Sequence, residues 1–240
     1  MSQSTPGQPP LSPTANRLLA ALPRAEYDGL VGRMEVVKLG ALEVIANAGE
    51  PLSHAYFPLS GILSIVAIDA AGGIVEVGTV GRDGMAGLPT VLGLPASPFQ
   101  TMGQVPGFHA RLPMADLLVA AAPGTALYAL LLRYAQAFSV LGGQSAACNR
   151  LHPVEERCAR WLLMTHDRIG ADVFPLTQEV LGQMLGVRRP SVTVAAGMLQ
   201  RAGLIGYRRG IVTILDRSGL EAAACECYGV IQREFDRLFG

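Results

Sequence analysis

The chain has little charge, few aromatic side chains and very little cysteine for its length. Only 16% of its 240 residues are Asp, Glu, Lys or Arg, while half are apolar. That balance excludes a self-repelling, disordered chain and predicts a globular one with a real core, in about two domains. There is no excess charge of either sign: 19 basic residues balance 19 acidic ones, so overall charge names no partner. No run of eighteen apolar residues occurs, so no transmembrane span and no membrane partner are expected. The opening MSQSTPGQPPLSPT lacks a basic start followed by an apolar core. It therefore does not read as a signal peptide, and a cytoplasmic location is expected. Cysteine is confined to Cys148, Cys158, Cys225 and Cys227, which in that compartment should be reduced thiols. There is no His-x-His pair, no nucleophile–base constellation and no phosphate-gripping glycine loop. No catalytic residue, metal or cofactor is expected, and the chain does not read as an enzyme.

What is present concentrates in LTQEVLGQMLGVRRPSVT, residues 176–193. Leu181, Met184, Leu185 and Val187 give an apolar side to a first short helix and its turn. Val192, Ala195 and Leu199 recur at i, i+3, i+7 on a second. Thr177 stands at an N-cap position, with Glu179 in the first turn. Gly182 is small where the helices cross. Gly186 follows the last apolar residue of the first helix, where a left-handed residue stops it. Arg188-Arg189-Pro190-Ser191 opens the second helix, where a proline's missing N–H costs nothing. The pattern is a helix-turn-helix with two arginines at the end that reaches base edges in the major groove. Charge distribution agrees: residues 150–210 carry a net +4, and the segments before and after carry −2 each. That is the footprint expected of a DNA-binding segment.

Taken in order, residues 1–13 read as a disordered arm. Residues 16–22 and 25–31 read as short helices. From Met34 the period shortens. MEVVKL, LEVIANAG, AYFPLSGILSIVAI, GIVEVGTVG, FQTMGQV and FHARLP are short runs punctuated by Gly, Pro and Asp, which predicts a β-sandwich or jelly roll. GRDGMAGLPTVLG (81–93) interrupts them as a loop with a short helix, and 114–121 is a small helix. Residues 125–150 form a long helix with a stripe of Leu127, Leu130, Leu131, Tyr134, Phe138, Leu141 and Ser145. Its apolar face serves either as a dimer seam, with Leu127, Leu131, Tyr134, Phe138 and Leu141 in it, or as packing inside its own domain. Residues 153–169 form an amphipathic helix and 170–175 a loop. LIGYRRGIVTILD is a two-stranded wing with Arg208 and Arg209 at its tip. Residues 218–238 read as one final helix.

HPVEERCARWLL (152–163), LTQEVLGQMLGVRRPSVT (176–193) and LIGYRRGIVTILD (204–216) resemble the Crp–Fnr superfamily of bacterial transcription regulators. GRDGMAGL (81–88) and the strand-rich first half support the resemblance, which covers nearly the whole chain from Asn16. It implies an α+β fold with an N-terminal β-barrel or jelly roll, a long dimerisation helix and a C-terminal winged helix-turn-helix. The arm is assigned to 1–13, an effector domain of cyclic-nucleotide-binding type to 14–123, the dimerisation helix to 124–151 and the DNA-binding domain to 152–240. It further implies a homodimer on a palindromic site in double-stranded DNA, and it admits RNA polymerase and an unknown small-molecule effector as further partners. Gly81, Arg82, Asp83, Gly84 and Met85 fall in the family's effector region. The family's cyclic-phosphate Arg has no counterpart there, so cyclic AMP is not expected in the usual mode. No cysteine precedes residue 148, so the family's N-terminal iron–sulfur cluster is not expected.

Arg189 matches the family position that donates to a guanine, which an Arg grips bidentately through O6 and N7. Arg188, Ser191 and Thr193 share that helix end. Pro190 and Val194 stand where the family carries further base-reading side chains, and they suit a thymine methyl. Thr177 and Gln178 begin the first helix and suit a phosphate. Arg208 and Arg209 suit the DNA backbone. Two readings from other classes stand beside this one: a cupin-like jelly-roll enzyme, and a thiol-based redox sensor. On a single helix Cys225 and Cys227 would face different ways, which predicts structural cysteines unsuited to a disulfide or a metal.

Overall fold

The computed structural model describes residues 12–240, so the arm expected at 1–13 lies outside the described residues except at its end. The chain begins with α1 (Arg17–Ala20) and α2 (Arg24–Val31). Fully buried Asn16 caps α1 by accepting from the N–H groups of Leu18 and Leu19. Its amide donates to the carbonyls of Pro58, at 3.1 Å, and Gly84, at 2.9 Å. One side chain thus ends a helix and fixes it to two distant segments.

Seven strands follow: β1 (Glu35–Leu39), β2 (Val44–Ala46), β3 (His54–Pro58), β4 (Ile62–Ile68), β5 (Ile74–Val80), β6 (Gln100–Val105) and β7 (Gly107–Pro113), with α3 (Leu88–Val91) between β5 and β6. They form an antiparallel sheet of order β1-β7-β3 and another of order β2-β6-β4-β5. The architecture is α+β as expected, but the strands make two open sheets, with no ladder closing them into a barrel among the described residues. The chain passes from one sheet to the other at Pro106, which has no N–H to continue a ladder. Gly107 is required at this corner: a Cβ there would lie 2.2 Å from the Ser60 carbonyl oxygen.

Next come α4 (Met114–Ala120) and the 26-residue α5 (Ala126–Leu151). Thr125 caps α5, and Glu26 of α2 accepts from the N–H groups of Ala126 and Leu127, both at 2.9 Å. A carboxylate is well placed against the positive end of a helix. The apolar stripe of α5 faces the chain's own core. Leu127, Leu131, Tyr134 and Leu141 are buried there, and Phe138 is half-buried against Gly78. Leu127, Leu131, Tyr134 and Leu141 therefore serve the chain's own core, while Phe138 keeps part of its surface exposed. The face left to solvent carries Ala129, Leu132, Gln136, Ser139, Gly143 and Ala146.

The second half contains α6 (Val154–Ile169), β8 (Val173–Pro175), α7 (Gln178–Leu185), α8 (Arg189–Arg201), β9 (Ile205–Arg208), β10 (Ile211–Ile214), α9 (Arg217–Ala223) and α10 (Cys227–Asp236). Gly170 ends α6 in the left-handed region. The segment 170–175 is more than a loop: β8 pairs with β10, giving a three-stranded sheet of order β8-β10-β9. The single final helix is in fact two, broken at Ala224–Glu226. Cys225 therefore lies off the helix that starts at Cys227, and the two need not diverge.

The halves are clasped through the 81–84 loop and α6. Asp83 pairs with Arg168 at 3.2 Å, with side chains only 14% and 4% exposed. Arg82 Nε donates to the Arg168 carbonyl at 3.1 Å. Half-buried Glu76 of β5 accepts from Trp161 Nε1 of α6 at 2.9 Å and from Thr79 at 2.7 Å. Burial raises the pKa of Glu76, an effect its hydrogen bonds only partly oppose.

Candidate DNA-reading surface

The helix-turn-helix forms where the sequence pattern places it. Thr177 Oγ1 accepts from the Val180 N–H and caps α7. Gly186 ends α7 at φ +63°, and Val187 N–H closes back on the Gly182 carbonyl. A Cβ at Gly182 would sit 3.0 Å from the Val187 carbonyl oxygen, so only a small residue lets the turn fold back this closely. Arg188 flanks α8, and Pro190 occupies its first turn. Val192, Ala195, Ala196 and Leu199 pack inward. Arg188, Arg189, Pro190, Ser191, Thr193, Val194 and Met198 are exposed.

The wing is a hairpin whose two central residues, Arg209 and Gly210, both have positive φ. That is the backbone sense that matches strand twist in a two-residue turn. Tyr207 OH donates to the Leu176 carbonyl at 2.9 Å, and Leu176 N–H donates to the Gly210 carbonyl at 2.8 Å. These bonds fix the wing to the start of α7. An open groove of about 430 Å³ results, lined by Thr177, Gln178, Glu179, Arg189, Tyr207, Arg209 and Gly210. Of the candidates from sequence, Thr177, Gln178, Arg189 and Arg209 are brought together. Arg188 faces a neighbouring groove shared with Asp69 and Val75 of the β4–β5 hairpin. Arg208 is exposed but does not line the first groove. Thr193 Oγ1 lies 2.8 Å from Gln178 Oε1 and 3.1 Å from the Arg189 carbonyl, bridging α7 and α8.

Not every basic residue of the 150–210 block serves this surface. Arg157, Arg160 and Arg168 are 4–6% exposed. Arg157 donates to the Leu185 carbonyl, placing a cation at the C-terminal end of α7. The block's position in the chain pointed to the right unit, but a third of its cations are structural. No sequence signal separated them: they sit on an amphipathic helix that turns out to be covered on several sides.

In the first half, a cavity of about 300 Å³ lies between β4, β5 and β6, the 85–99 segment and α5. Ile65, Val80, Leu88, Phe99, Tyr134 and Phe138 are among its lining residues, and Glu50 is its only charged one. Of the five residues taken as the effector region, Met85 lines it. Arg82 and Asp83 are engaged by Arg168, and Gly81 and Gly84 lie against Arg168 and Tyr134. His54 bonds Ser53 at 2.9 Å. His109 is buried in the core, and burial lowers its pKa to about 4. Among the described residues no helix is long and apolar enough to cross a membrane.

The Crp-like helix-turn-helix domain family matches residues 156–223. No curated protein matches the chain. The FixK2 protein of Bradyrhizobium japonicum superposes with a TM-score of 0.69 at 16% identity, over 80% of this chain and 98% of its own. A Crp/Fnr-family transcriptional regulator from Thermus thermophilus does so with 0.58 at 26% identity, over 79% and 98%. A c-di-GMP-responsive global regulator from Xanthomonas campestris does so with 0.63 at 16% identity, over 80% and 99%. The chain carries a Crp-like helix-turn-helix domain on the fold of the Crp/Fnr transcriptional regulators.

Proposed function

We propose that the protein is a homodimeric, sequence-specific DNA-binding transcription regulator. The observation that carries this is the convergence of Arg189, the start of α7 and the wing tip on one exposed groove. A duplex seated there meets α8 end-on. Arg189 reads a guanine, with Pro190 and Val194 beside it for a thymine methyl. Thr177, Gln178, Arg208 and Arg209 hold phosphates, with Arg188, Ser191 and Thr193 flanking. Residues 14–123 serve as the effector domain, α5 as the dimer helix and 152–240 as the DNA-binding domain. The seam between copies runs along the face of α5 that carries Ala129, Leu132, Gln136, Ser139, Gly143 and Ala146. The effector cavity suits an apolar molecule, since it offers no cation for a phosphate. A ligand there touches Tyr134 and Phe138 of α5 directly, giving it a lever on the dimer helix.

Selection of duplexes from a random pool by the untreated protein tests the proposal. The expected product is a palindrome with half-site centres about one helical turn apart. It carries a guanine that is lost from the selected site with Arg189→Ala. If nothing enriches, the selection is repeated with cyclic mononucleotides and dinucleotides. If it still fails, and binding is absent at low salt, the proposal is wrong. A second reading, a thiol-based sensor that also binds DNA, is favoured by one observation: Cys148, Cys225, Cys227 and His152 gather at one point. None of the four lies on a strand, as a cupin-like enzyme's ligands would, so the cluster lends no support to that reading.

A further inference from the structure

We infer that Cys148, His152, Cys225 and Cys227 form a binding site for a divalent metal ion of zinc type, which ties the end of α5 to the link between α9 and α10. The inference gives the thiol reading a ligand. It does not rest on the DNA reading, because the site stands on its own geometry.

The four ligand atoms lie within 4.8 Å of one another. Cys148 Sγ is 3.5 Å from Cys225 Sγ, and Cys227 Sγ is 3.5 Å from His152 Nδ1. Zinc bonds of about 2.3 Å to sulfur and 2.0–2.1 Å to nitrogen place tetrahedral ligands roughly 3.5–3.8 Å apart. Two of the six edges of that tetrahedron already have about this length, and the other four are no longer than 4.8 Å. Three cysteines and one histidine are a recognised structural zinc set. Cys148 and His152 are four residues apart at the end of α5, so they share a face. The helix break at 224–226 brings Cys225 and Cys227 to meet them.

The surroundings are those a metal centre uses. His152 offers Nδ1 to the cluster, while its Nε2 lies 3.3 Å from Glu226 Oε1. A metal-ligating histidine characteristically has its other nitrogen on a carboxylate, which fixes tautomer and ring orientation. Gln144 Nε2 donates to Cys227 Sγ at 3.1 Å, a bond that suits a thiolate. Arg157 and Arg160 are buried nearby, with no carboxylate within ion-pairing distance among the described residues. Both act electrostatically on Cys148. Three thiolates and a neutral imidazole on a divalent ion carry one net negative charge, which offsets one of these two cations. Metal coordination deprotonates such thiols outright. A disulfide between Cys148 and Cys225 would use only two of the four groups and leave the His152–Glu226 and Gln144–Cys227 contacts without a role.

The test uses the full chain, produced without a polyhistidine tag and kept reduced. Elemental analysis should find one zinc per chain. After chelation, titration with cobalt(II) should produce thiolate-to-cobalt charge-transfer bands and the visible spectrum of tetrahedral cobalt. Cys227→Ser and His152→Ala should lose or shift these bands, while Cys158→Ala should keep them. Glu226→Gln leaves all four ligands in place on an exposed side chain. It should fold normally and bind cobalt about 10–100-fold more weakly. Reduced protein that takes up neither ion would overturn the site. So would cobalt bands unchanged in Cys227→Ser, or a metal-free protein carrying a Cys148–Cys225 disulfide. Metal is measured without DNA, so failure here and failure of duplex selection are separate results.

Discussion

Asp83→Ala tests how the two halves of the molecule are held together. Asp83 lies in the 81–84 loop of the first half and Arg168 on α6 of the second. Their side chains meet at 3.2 Å while only 14% and 4% exposed. Arg168 keeps two other contacts: Nη1 donates to the Met164 carbonyl at 3.1 Å, and the guanidinium lies 5.1 Å from the Phe235 ring centroid. Neither supplies a negative charge. Removing Asp83 takes away the ion-pair partner of a buried cation and leaves only the more distant Glu76 acting on it, a change that costs about 3–5 kcal/mol. For a chain of this length each kcal/mol moves Tm by about 2–4 °C, so a fall of roughly 6–20 °C is expected. Urea unfolding should report the same loss, and urea is preferable to guanidinium because salt screens charges. Asp83→Ala combined with Arg168→Met should recover most of it. A buried pair replaced by apolar groups is close to neutral, and methionine still fills the space against Phe235. The reasoning is refuted if Asp83→Ala shifts Tm by less than about 2 °C, or if the double variant shows the sum of the two single losses.

Further outcomes follow from the same structure. Arg189→Ala should weaken binding to the selected site by about 1–3 kcal/mol, and a competition assay should show the guanine preference gone. Arg209→Ala should weaken all sequences alike and reduce the slope of log K against log salt by about one per subunit, measurable by fluorescence anisotropy. His109 has its pKa lowered from 6.5 to about 4 by burial, so the unfolded chain binds its proton more readily. Stability should fall as pH drops from about 6.5 towards 4, by up to about 3 kcal/mol, and urea unfolding of His109→Leu should lack that component. Glu76 has the opposite sign. Its pKa is raised by burial, so its contribution is lost as pH rises through the folded value, and Glu76→Gln should flatten that decline in urea midpoints.

Much of the fold was legible locally. Thr177, Gly182, Gly186 and Pro190 each mark a backbone requirement of the helix-turn-helix, and each is met in place. The seven strands match the apolar runs between Gly and Pro signals to within one residue at each end or lie inside them, β3 and β7 each starting one residue earlier. The failures came where a side chain's partner is distant. The stripe Leu127, Leu131, Tyr134, Phe138, Leu141 reads equally well as a dimer seam or a core face, because periodicity defines a face and not what covers it. The +4 block included Arg157, Arg160 and Arg168, since helical spacing does not say how much of a helix is covered. Cys225-x-Cys227 points two ways only if the helix is continuous. A break of three residues reversed its geometry, and Cys148-x-x-x-His152 was the unused signal for the same cluster.

The sequence by itself determined the order of elements, the helix-turn-helix with its arginines, and the wing, because capping, turn chemistry and periodicity act over a few residues. Tertiary structure alone decided which face of α5 is buried, that the strands form two open sheets, and that the 81–84 loop clasps α6. It also decided that Cys148 and His152 meet Cys225 and Cys227 at one point. Those outcomes depend on contacts between segments far apart in the chain, where burial and charge pairing act through space and leave no local pattern to read.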